Sequence, residues 1–485
     1  METNEQLKTT LVQEAEAEIV KLLKRVQELK VGDLKGVEHE VLTSVFAIGR
    51  TALACLIQAQ PETLAAPARH AGACGHEQRL VSWRPKQVLT LLGAITIQRA
   101  YYQCLDPAEE QDGKQPCTHG EAPADALWGI EQRRTSAGVQ QAVSYLGASL
   151  TLEETAAAFS RLFPLQMSAR QALYLMQPVG EALAAAEQAQ VESLWEEATQ
   201  ARTTPSSPIE LSEEDIERLY IQLDGVLARL RRGCVPMEQD EQQRTGDVYR
   251  EIKVGAVFQA QRGRERSKLA PGAWVDAPVE GSLHSIAQRT ALGDFGRRLY
   301  LLAVQGGLGR ARQVVVLGDG ARWLWRLVEE HFPGAVQIVD VWHAQEHVWE
   351  VAQAVFGRTT PEGVAWAKQG CTWLVQGESE ALVKSIAALP PVAPPPGQTK
   401  SVPEQAMGYF TTNAERMRYP VFRAQGMQIG SGIAEASCKT VVSTRAKRAG
   451  MRWTPEGLDA LLPLRTSVLN GSFDAFWQGR SHALT

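Results

Sequence analysis

Asp224 and Asp319 each stand where an apolar, β-branched run stops, in LYIQLDG and in VVVLGDG. An Asp-Gly pair is also the commonest short hairpin signal, and that reading suits Asp224 taken alone. Asp319 is followed by a helical pattern and not by a partner strand, so a turn explains it less well. If the two strands are neighbours in one sheet, both carboxylates reach the same edge. Like charges held together repel unless a cation lies between them, which implies a hard divalent ion such as Mg2+. A third carboxylate would come from a helix packed on that edge. Glu435 fits, one turn into a helix opened by Gly430-Ser431-Gly432, with Lys439 and Val442 on its face at i+4 and i+7. With Lys439, the cations Arg445, Lys447, Arg448 and Arg452 are read as contacts to a phosphate backbone; the alternative is a solvated amphipathic helix. Asp340 and His343 form a D-x-x-H at the end of a further short strand. They are either a satisfied structural pair or the edge of the same site, with His343 positioning a phosphate.

A second cluster lies in the first half. His70, Cys74 and His76 precede a predicted hairpin, residues 86–92 and 94–102 around Gly93, and Cys104, Cys117 and His119 follow it. Tetrahedral zinc takes four Cys or His ligands from two such knuckles. Cys74, Cys104, Cys117 and His119 are the set expected to hold one. There is no Cys-x-x-Cys pair, so free thiols and surface histidines are the competing reading. The seven cysteines are odd in number and scattered, unlike a secreted disulfide framework.

The elements that must position these groups follow from periodicity. Residues 4–30 and 36–60 carry apolar positions at helical spacing with a turn at Val31-Gly32-Asp33, and packing within the chain explains them more simply than oligomerisation does. Leu152, Ala156, Phe159 and Leu162 form one stripe, Phe163-Pro164 breaks it, and Ser168 caps a second helix; the layout suits a helix-turn-helix. After a Pro/Ser linker the pattern turns to strands at Leu219–Leu223, Val226–Leu230 and Glu251–Phe258, with a helix at Ala291–Val304. A strand at Val314–Leu317, a helix at Arg322–Phe332 and a strand at Val336–Val339 complete a β-β-β-α-β-α-β order, that of a ribonuclease H-like mixed sheet. Residues 344–388 are helical and carry Trp349, Trp366 and Trp373; a stiff PPVAPPP stretch follows, then helices at Ile433–Arg448 and Glu456–Leu469.

The fold class expected is thus α+β and multidomain. Residues 1–65 are an N-terminal helical hairpin, 66–125 a small β region or degenerate zinc ribbon, 126–200 a helical DNA-reading region and 201–217 a linker. Residues 218–343 are the first part of the catalytic core, 344–425 a helical insertion, and 426–485 the region of the catalytic helix.

Composition narrows the classes. The 485 residues are 44% hydrophobic and 22% charged, which is globular and not disordered. The N-terminus has no signal-peptide core and no apolar run approaches the ~18 residues of a membrane span, so a cytoplasmic protein is expected. The net charge of −5 divides into −11 for residues 1–219 and +6 for residues 220–485, so an anionic partner would bind the second half.

The segments LYIQLDGV, EIKVGAVF, VVVLGDGARWLW, IVDVWH and GSGIAEASCKTVVSTRAKRAGMRW resemble the DDE transposases of bacterial insertion sequences, specifically the ISKra group, related to the Mutator-like transposases. The resemblance implies a ribonuclease H-like fold and makes Asp224, Asp319 and Glu435 the catalytic carboxylates, with Asp340 and His343 the family's D/C-x-x-H. It implies two Mg2+ ions, replaceable by Mn2+, and double-stranded DNA, both element ends and target, as substrate. It also implies a working complex that is at least a dimer, associated with the bacterial nucleoid and with no membrane. Members tend to carry paired Cys-x-x-Cys knuckles, whereas here the first knuckle holds only Cys74 and the second is irregular. A ribonuclease H-like nuclease without strand transfer, or an inactive DNA-binding relic, would be the alternatives.

Overall fold

The computed structural model describes residues 4–104, 117–130, 133–200, 216–234, 248–264 and 273–482. The expected linker, apart from residues 216 and 217, lies outside the described residues. The chain forms two compact units, residues 1–179 with 474–485, and residues 180–473.

In the first unit, helices α1 (Asn4–Gln27) and α2 (Leu34–Gln58) form the expected hairpin. Gly32 takes the left-handed conformation (φ +85°) and the Asp33 carboxylate caps α2 by accepting from the Gly36 amide. Arg25 ties the pair together, bonding Glu40 at 2.6 Å and Glu18 at 3.0 Å. The end of α2 packs through Leu53, Ala54 and Ile57 onto Val88, Ile95 and Ile97 of the neighbouring sheet. Leu7, Leu11, Leu22, Val26, Val37 and Ile48 are partly buried, while Val12, Ile19, Leu23, Val41, Leu42 and Val45 stay exposed. By length and composition α2 is long and apolar enough to cross a membrane, contrary to the expectation that no segment is. Its apolar residues are dispersed among Glu38, Glu40 and Arg50, so no continuous run marks it.

The small sheet has order β1-β2-β3-β4, from Arg69–Ala71, Glu77–Thr90, Gly93–Cys104 and Gly120–Glu121. The β2–β3 hairpin turns through Leu91-Leu92 into Gly93, and is longer than periodicity suggested because both strands run on past the apolar stretch. Helices α3 (Ala137–Ser149), α4 (Leu152–Leu162) and α5 (Ala169–Gln200) follow. Thr151 and Glu154 make a capping box at α4, and Ser168 accepts from the Gln171 amide at the start of α5, as expected of a helix-turn-helix layout. The unit boundary falls inside α5, just after Pro178.

The second unit is built on a mixed sheet of order β10-β9-β5-β6-β7, with β8 also paired to β6. The strands are β5 (Ile216–Leu230), β6 (Val248–Arg264), β7 (Trp274–Pro278), β8 (His284–Gln288), β9 (Ala311–Gly318) and β10 (Val336–Val339). β5, β9 and β10 run parallel, while β6 is antiparallel to β5, β7 and β8. Leu219 to Leu223 are buried without a break, the mark of a strand covered on both faces. Helices α6 (Leu292–Gln305) and α7 (Arg322–His331) join β8 to β9 and β9 to β10.

One expectation is overturned here. Val226–Leu230 is not a second strand after an Asp-Gly turn: β5 is a single strand of 15 residues, with Asp224 paired to Val254 and Gly225 to Lys253. An Asp-Gly hairpin turn needs positive φ, and Gly225 does not have it.

After β10 come α8 (Val341–Phe356), α9 (Pro361–Val375), α10 (Ser379–Ala387), α11 (Val402–Thr412) and α12 (Tyr419–Ala424), the helical stretch expected before Glu435. α13 starts at Gly432 and α14 spans Pro455–Leu469.

Candidate carboxylate site and metal centre

Register carries the first site. Gln222 on β5 lies opposite Leu317 on β9, and Gly318 lies opposite Val339 on β10. Two residues further along β5 is Asp224, two further along β9 is Asp319, and one beyond Val339 is Asp340. Three aspartates therefore occupy one row across three adjacent parallel strands, just past the ends of β9 and β10 and inside β5 where its pairing with β9 stops, and residues in one row share a face. This is where ligand sites of open α/β sheets form.

Each aspartate is held differently. Asp224 is half-buried and accepts from the Gly225 amide at 2.7 Å. Asp319 is half-buried and accepts from the Ala321 amide at 2.8 Å, while its carbonyl takes the Tyr409 hydroxyl at 2.8 Å. Gly320 beside it has φ +92°, and a Cβ there would strike the Tyr409 ring. Asp340 is fully buried: Oδ1 caps α8 by accepting from the Trp342 amide at 2.6 Å and the His343 amide at 3.0 Å, and Oδ2 accepts from the Ser431 amide. Its oxygens are thus spent on joining α8 to the start of α13, which makes Asp340 a positioning residue and not a group open to a ligand.

The chain leading to Glu435 is fastened to the sheet by a polar residue that periodicity could not single out. Buried Gln222 donates to Gln428 at 2.9 Å and accepts from the Ala434 amide at 3.1 Å. Gln428 donates in turn to the Asp276 carbonyl, and its amide bonds the Tyr220 hydroxyl. Glu435, next to Ala434, is held over β5 and stays exposed. The helix that follows is not uniform: Gly432–Ser437 is α-helical, Cys438–Ser443 is a π-helical turn and Thr444–Ala446 returns to α. Such a wide turn shifts the facing of every later residue. Val442 is therefore buried and leaves the exposed face of Glu435, while Lys439 remains exposed, a correction to the expected i+7 stripe.

The electrostatics mark these groups as one cluster. Although Glu435 is exposed, partial desolvation by the protein beside it is the largest influence raising its carboxyl, with Asp340, Asp224 and Glu346 adding to it and His343 opposing. Burial pulls the His343 imidazole down, but Asp340, Glu346, Asp224 and Asp319 together outweigh it and hold it above its usual value. Burial and then the Asp224 carboxylate, to which the thiol hydrogen-bonds, push Cys438 up. His343 Nδ1 lies 3.3 Å from Glu346, and its Nε2 is buried without a hydrogen-bond partner. The site is a surplus of negative charge with one unsatisfied imidazole nitrogen. Cys438, Tyr409 and Gln222 escaped the sequence reading; a lone glutamine inside an apolar strand was the only signal among them.

The cations divide. Lys439, Lys447, Arg448 and Arg452 are exposed, and the Arg448 side chain donates to the Thr444 carbonyl. Arg445 is wholly buried with its guanidinium 5.2 Å from the Trp453 ring centroid, which removes it from the expected phosphate contacts. The π turn rotates it inward. Arg465 of α14, unremarked in the sequence, braces the same turn by donating to the Thr440 carbonyl at 3.0 Å.

The candidate metal centre lies in the first unit. Cys74, His76, Cys104 and Cys117 bring their ligand atoms within 4.8 Å of one another, and among the described residues no other His, Cys, Asp or Glu set does so. His76 takes the place expected for His119, whose ring pairs instead with Glu121 at 3.2 Å. The reason is local. Cys74 and His76 flank Gly75 at φ +80° in the tight β1–β2 turn, closed by the Gly72 amide on the His76 carbonyl at 2.9 Å. The His76 amide hydrogen-bonds the Cys74 sulfur and, with Gln78, Cys117 and Cys104, lowers that thiol to about 7 against the opposing effect of burial. His76 Nδ1 is 3.6 Å from the Cys104 sulfur. Tetrahedral zinc with its usual bond lengths sets nitrogen and sulfur ligands about 3.6 Å apart. Four ligands, thiolate character and this spacing fit a metal such as zinc.

The chain matches no known protein-family model and no characterised relative.

Proposed function

We propose that this chain is a DDE-type DNA transposase of the ISKra kind, working in a bacterial cytoplasm on double-stranded DNA, with Asp224, Asp319 and Glu435 as its catalytic carboxylates. The observation that carries the reading is the aspartate row across β5, β9 and β10, with Glu435 tied to that row through Gln222. The strand order, three antiparallel strands followed by two parallel additions on the other side of β5, supports a ribonuclease H-like core.

Asp224, Asp319 and Glu435 would hold two Mg2+ ions, or Mn2+, which supply charge stabilisation to the attacking and leaving oxygens of an in-line phosphoryl displacement. The raised Glu435 carboxyl and the negative surplus around His343 fit a cationic guest. His343, held above its usual value by the surrounding carboxylates, would donate from its unpartnered Nε2 to a phosphate oxygen. Asp340 keeps α8 and α13 in place. Lys439, Lys447, Arg448 and Arg452 would bind the DNA backbone, and the α3–α5 region with its helix-turn-helix layout would read element ends.

The test is strand cleavage and strand transfer on a labelled element end, with and without pre-cutting. Asp319→Asn is expected to abolish both while leaving folding and DNA binding intact. Cleavage retained by that variant would remove Asp319 from the chemistry, and cleavage without joining by the natural protein would make it a nuclease.

A further inference from the structure

We propose that the cavity between the edge strand β7 and helix α12 is a nucleotide site, which takes an unpaired base of a DNA strand against Trp274 and its phosphate on Arg262 and Arg423. The cavity measures about 520 Å3 and is lined by Trp274, Arg423 and the apolar Val375, Pro420, Met427 and Ile429. That volume lies within the roughly 300–1,000 Å3 of pockets that enclose small molecules. Trp274 is 47% exposed, a large aromatic surface left open beside it.

Register builds the charged side. Trp274 lies opposite Arg264 of β6 and Asp276 opposite Arg262, so all four share one face at the edge of the sheet. The Arg264 guanidinium is 3.9 Å and that of Arg262 4.7 Å from the Trp274 ring centroid. A guanidinium stacked on an indole keeps its charge and its outward N–H groups. The acid in the row is already spent: Asp276 accepts from Arg218 at 2.9 Å and from the Tyr220 hydroxyl at 2.5 Å. Arg423 is partly buried in the cavity wall, and among the described residues nothing forms a hydrogen bond or ion pair with its guanidinium.

An aromatic wall, apolar surroundings and guanidiniums beside them suit a planar ring that carries an anion. Bases stack on tryptophan and on arginine planes whatever their identity, and phosphate oxygens accept from guanidinium N–H groups. A paired base cannot enter, because it is held inside the duplex stack. Taking the chain as a DNA enzyme, as proposed above, the guest is an unpaired nucleotide of the strand being handled. Position links the cavity to the carboxylate site. Gln428, between the lining residues Met427 and Ile429, is bonded to Gln222, to the Tyr220 hydroxyl and to the Asp276 carbonyl. The Ile429 carbonyl accepts from the Val341 amide at 2.9 Å, at the start of α8. One short strap thus forms a wall of the cavity and fastens the chain that leads to Glu435.

The probe is a fluorescein-labelled single-stranded oligothymidylate, read by anisotropy on the full chain beside a duplex of equal length. Trp274→Ala is expected to weaken the single strand about 5- to 150-fold, the loss of one base stack, and the duplex less than about 2-fold. Arg423→Ala should lower the single-strand log–log salt slope by about 0.7, one phosphate contact. Should Trp274→Ala disturb folding, Ala424→Phe at an exposed lining position fills the cavity without removing a group, and is expected to weaken the single strand over the same range. Thymidine monophosphate separates the two sources of a nucleotide, and should displace the oligonucleotide only at more than about 100-fold higher concentration. Displacement at equal concentration would make this a site for free nucleotides and overturn the strand assignment. Losses that are absent, or equal for single strand and duplex, would overturn the role of the cavity while leaving the transposase reading standing. Failure of the natural protein to bind either form of DNA would sink both.

Discussion

Removing the Asp340 carboxylate isolates what holds the candidate active site together. The group is fully buried and satisfies three backbone amides, those of Trp342, His343 and Ser431. Loss of an N-cap costs about 1–2 kcal/mol. A bond from a buried amide to a charged acceptor is worth about 1.5–3 kcal/mol, and leaving that amide unpaired forfeits it in full. Asp340→Ala should therefore lower the stability of the second unit by about 2.5–5 kcal/mol. Asp340→Asn keeps an oxygen for the cap but turns an amide donor toward Ser431, so it should lose only the second part, about 1.5–3 kcal/mol. Urea unfolding followed by tryptophan fluorescence reads both, as a shift in midpoint at unchanged slope. If Asp340 were instead a cation ligand in the row with Asp224 and Asp319, its removal would relieve like-charge repulsion and cost little stability. A loss below about 1 kcal/mol for Asp340→Ala, or equal losses for the two variants, would refute the positioning role.

The metal centre predicts a contrast between two histidines. Apparent zinc free energies of about 10–16 kcal/mol shared over four ligands come to roughly 2.5–4 kcal/mol each, so His76→Ala should weaken zinc 10²–10³-fold in competition with a chromogenic chelator. His119→Ala should leave it within a few-fold, and the reverse order would move the site. Because the Cys74 thiol sits at about 7, its thiolate absorbance at 240 nm in metal-free protein should rise with a midpoint near that pH. Zinc affinity should fall as pH drops below about 7, where a proton competes for the sulfur; a midpoint near 9 would contradict the hydrogen bonding around it. Neutralising Lys447 and Arg448 together should flatten the salt dependence of DNA binding by roughly 1.8 in log–log slope. Arg445→Ala, buried against Trp453, should lower stability and leave that slope unchanged.

Much of the architecture was legible along the chain. Leu219–Leu223, Val314–Leu317 and Val336–Val339 read as strands because β-branched runs bounded by Gly and Asp have few other uses, and α6, α7 and the α4–α5 break followed from periodicity and caps. Asp319 and Asp340 stand just past β9 and β10 as the pattern indicates, whereas Asp224 lies inside β5 and Glu435 in the helix that starts at Gly432. Two errors came from local rules that tertiary packing overruled. Asp224-Gly225 reads as a turn until β6 pairs straight through it, and Lys439 and Val442 share the face of Glu435 only on a regular helix, not across a π turn.

The sequence by itself determined which residues stand at the ends of strands and helices, since that depends on neighbours in the chain. Which of them meet was decided by the fold, because meeting depends on register and on buried polar anchors. Asp340 and Asp319 look alike as residues after short strands, yet one is consumed by three amides and the other keeps an open carboxylate. His76 and His119 are equally plausible ligands on paper; only the tight turn at Gly75 points one of them at the cysteines. Spacing along a chain limits what can approach, while hydrogen-bond satisfaction in the packed interior selects what does.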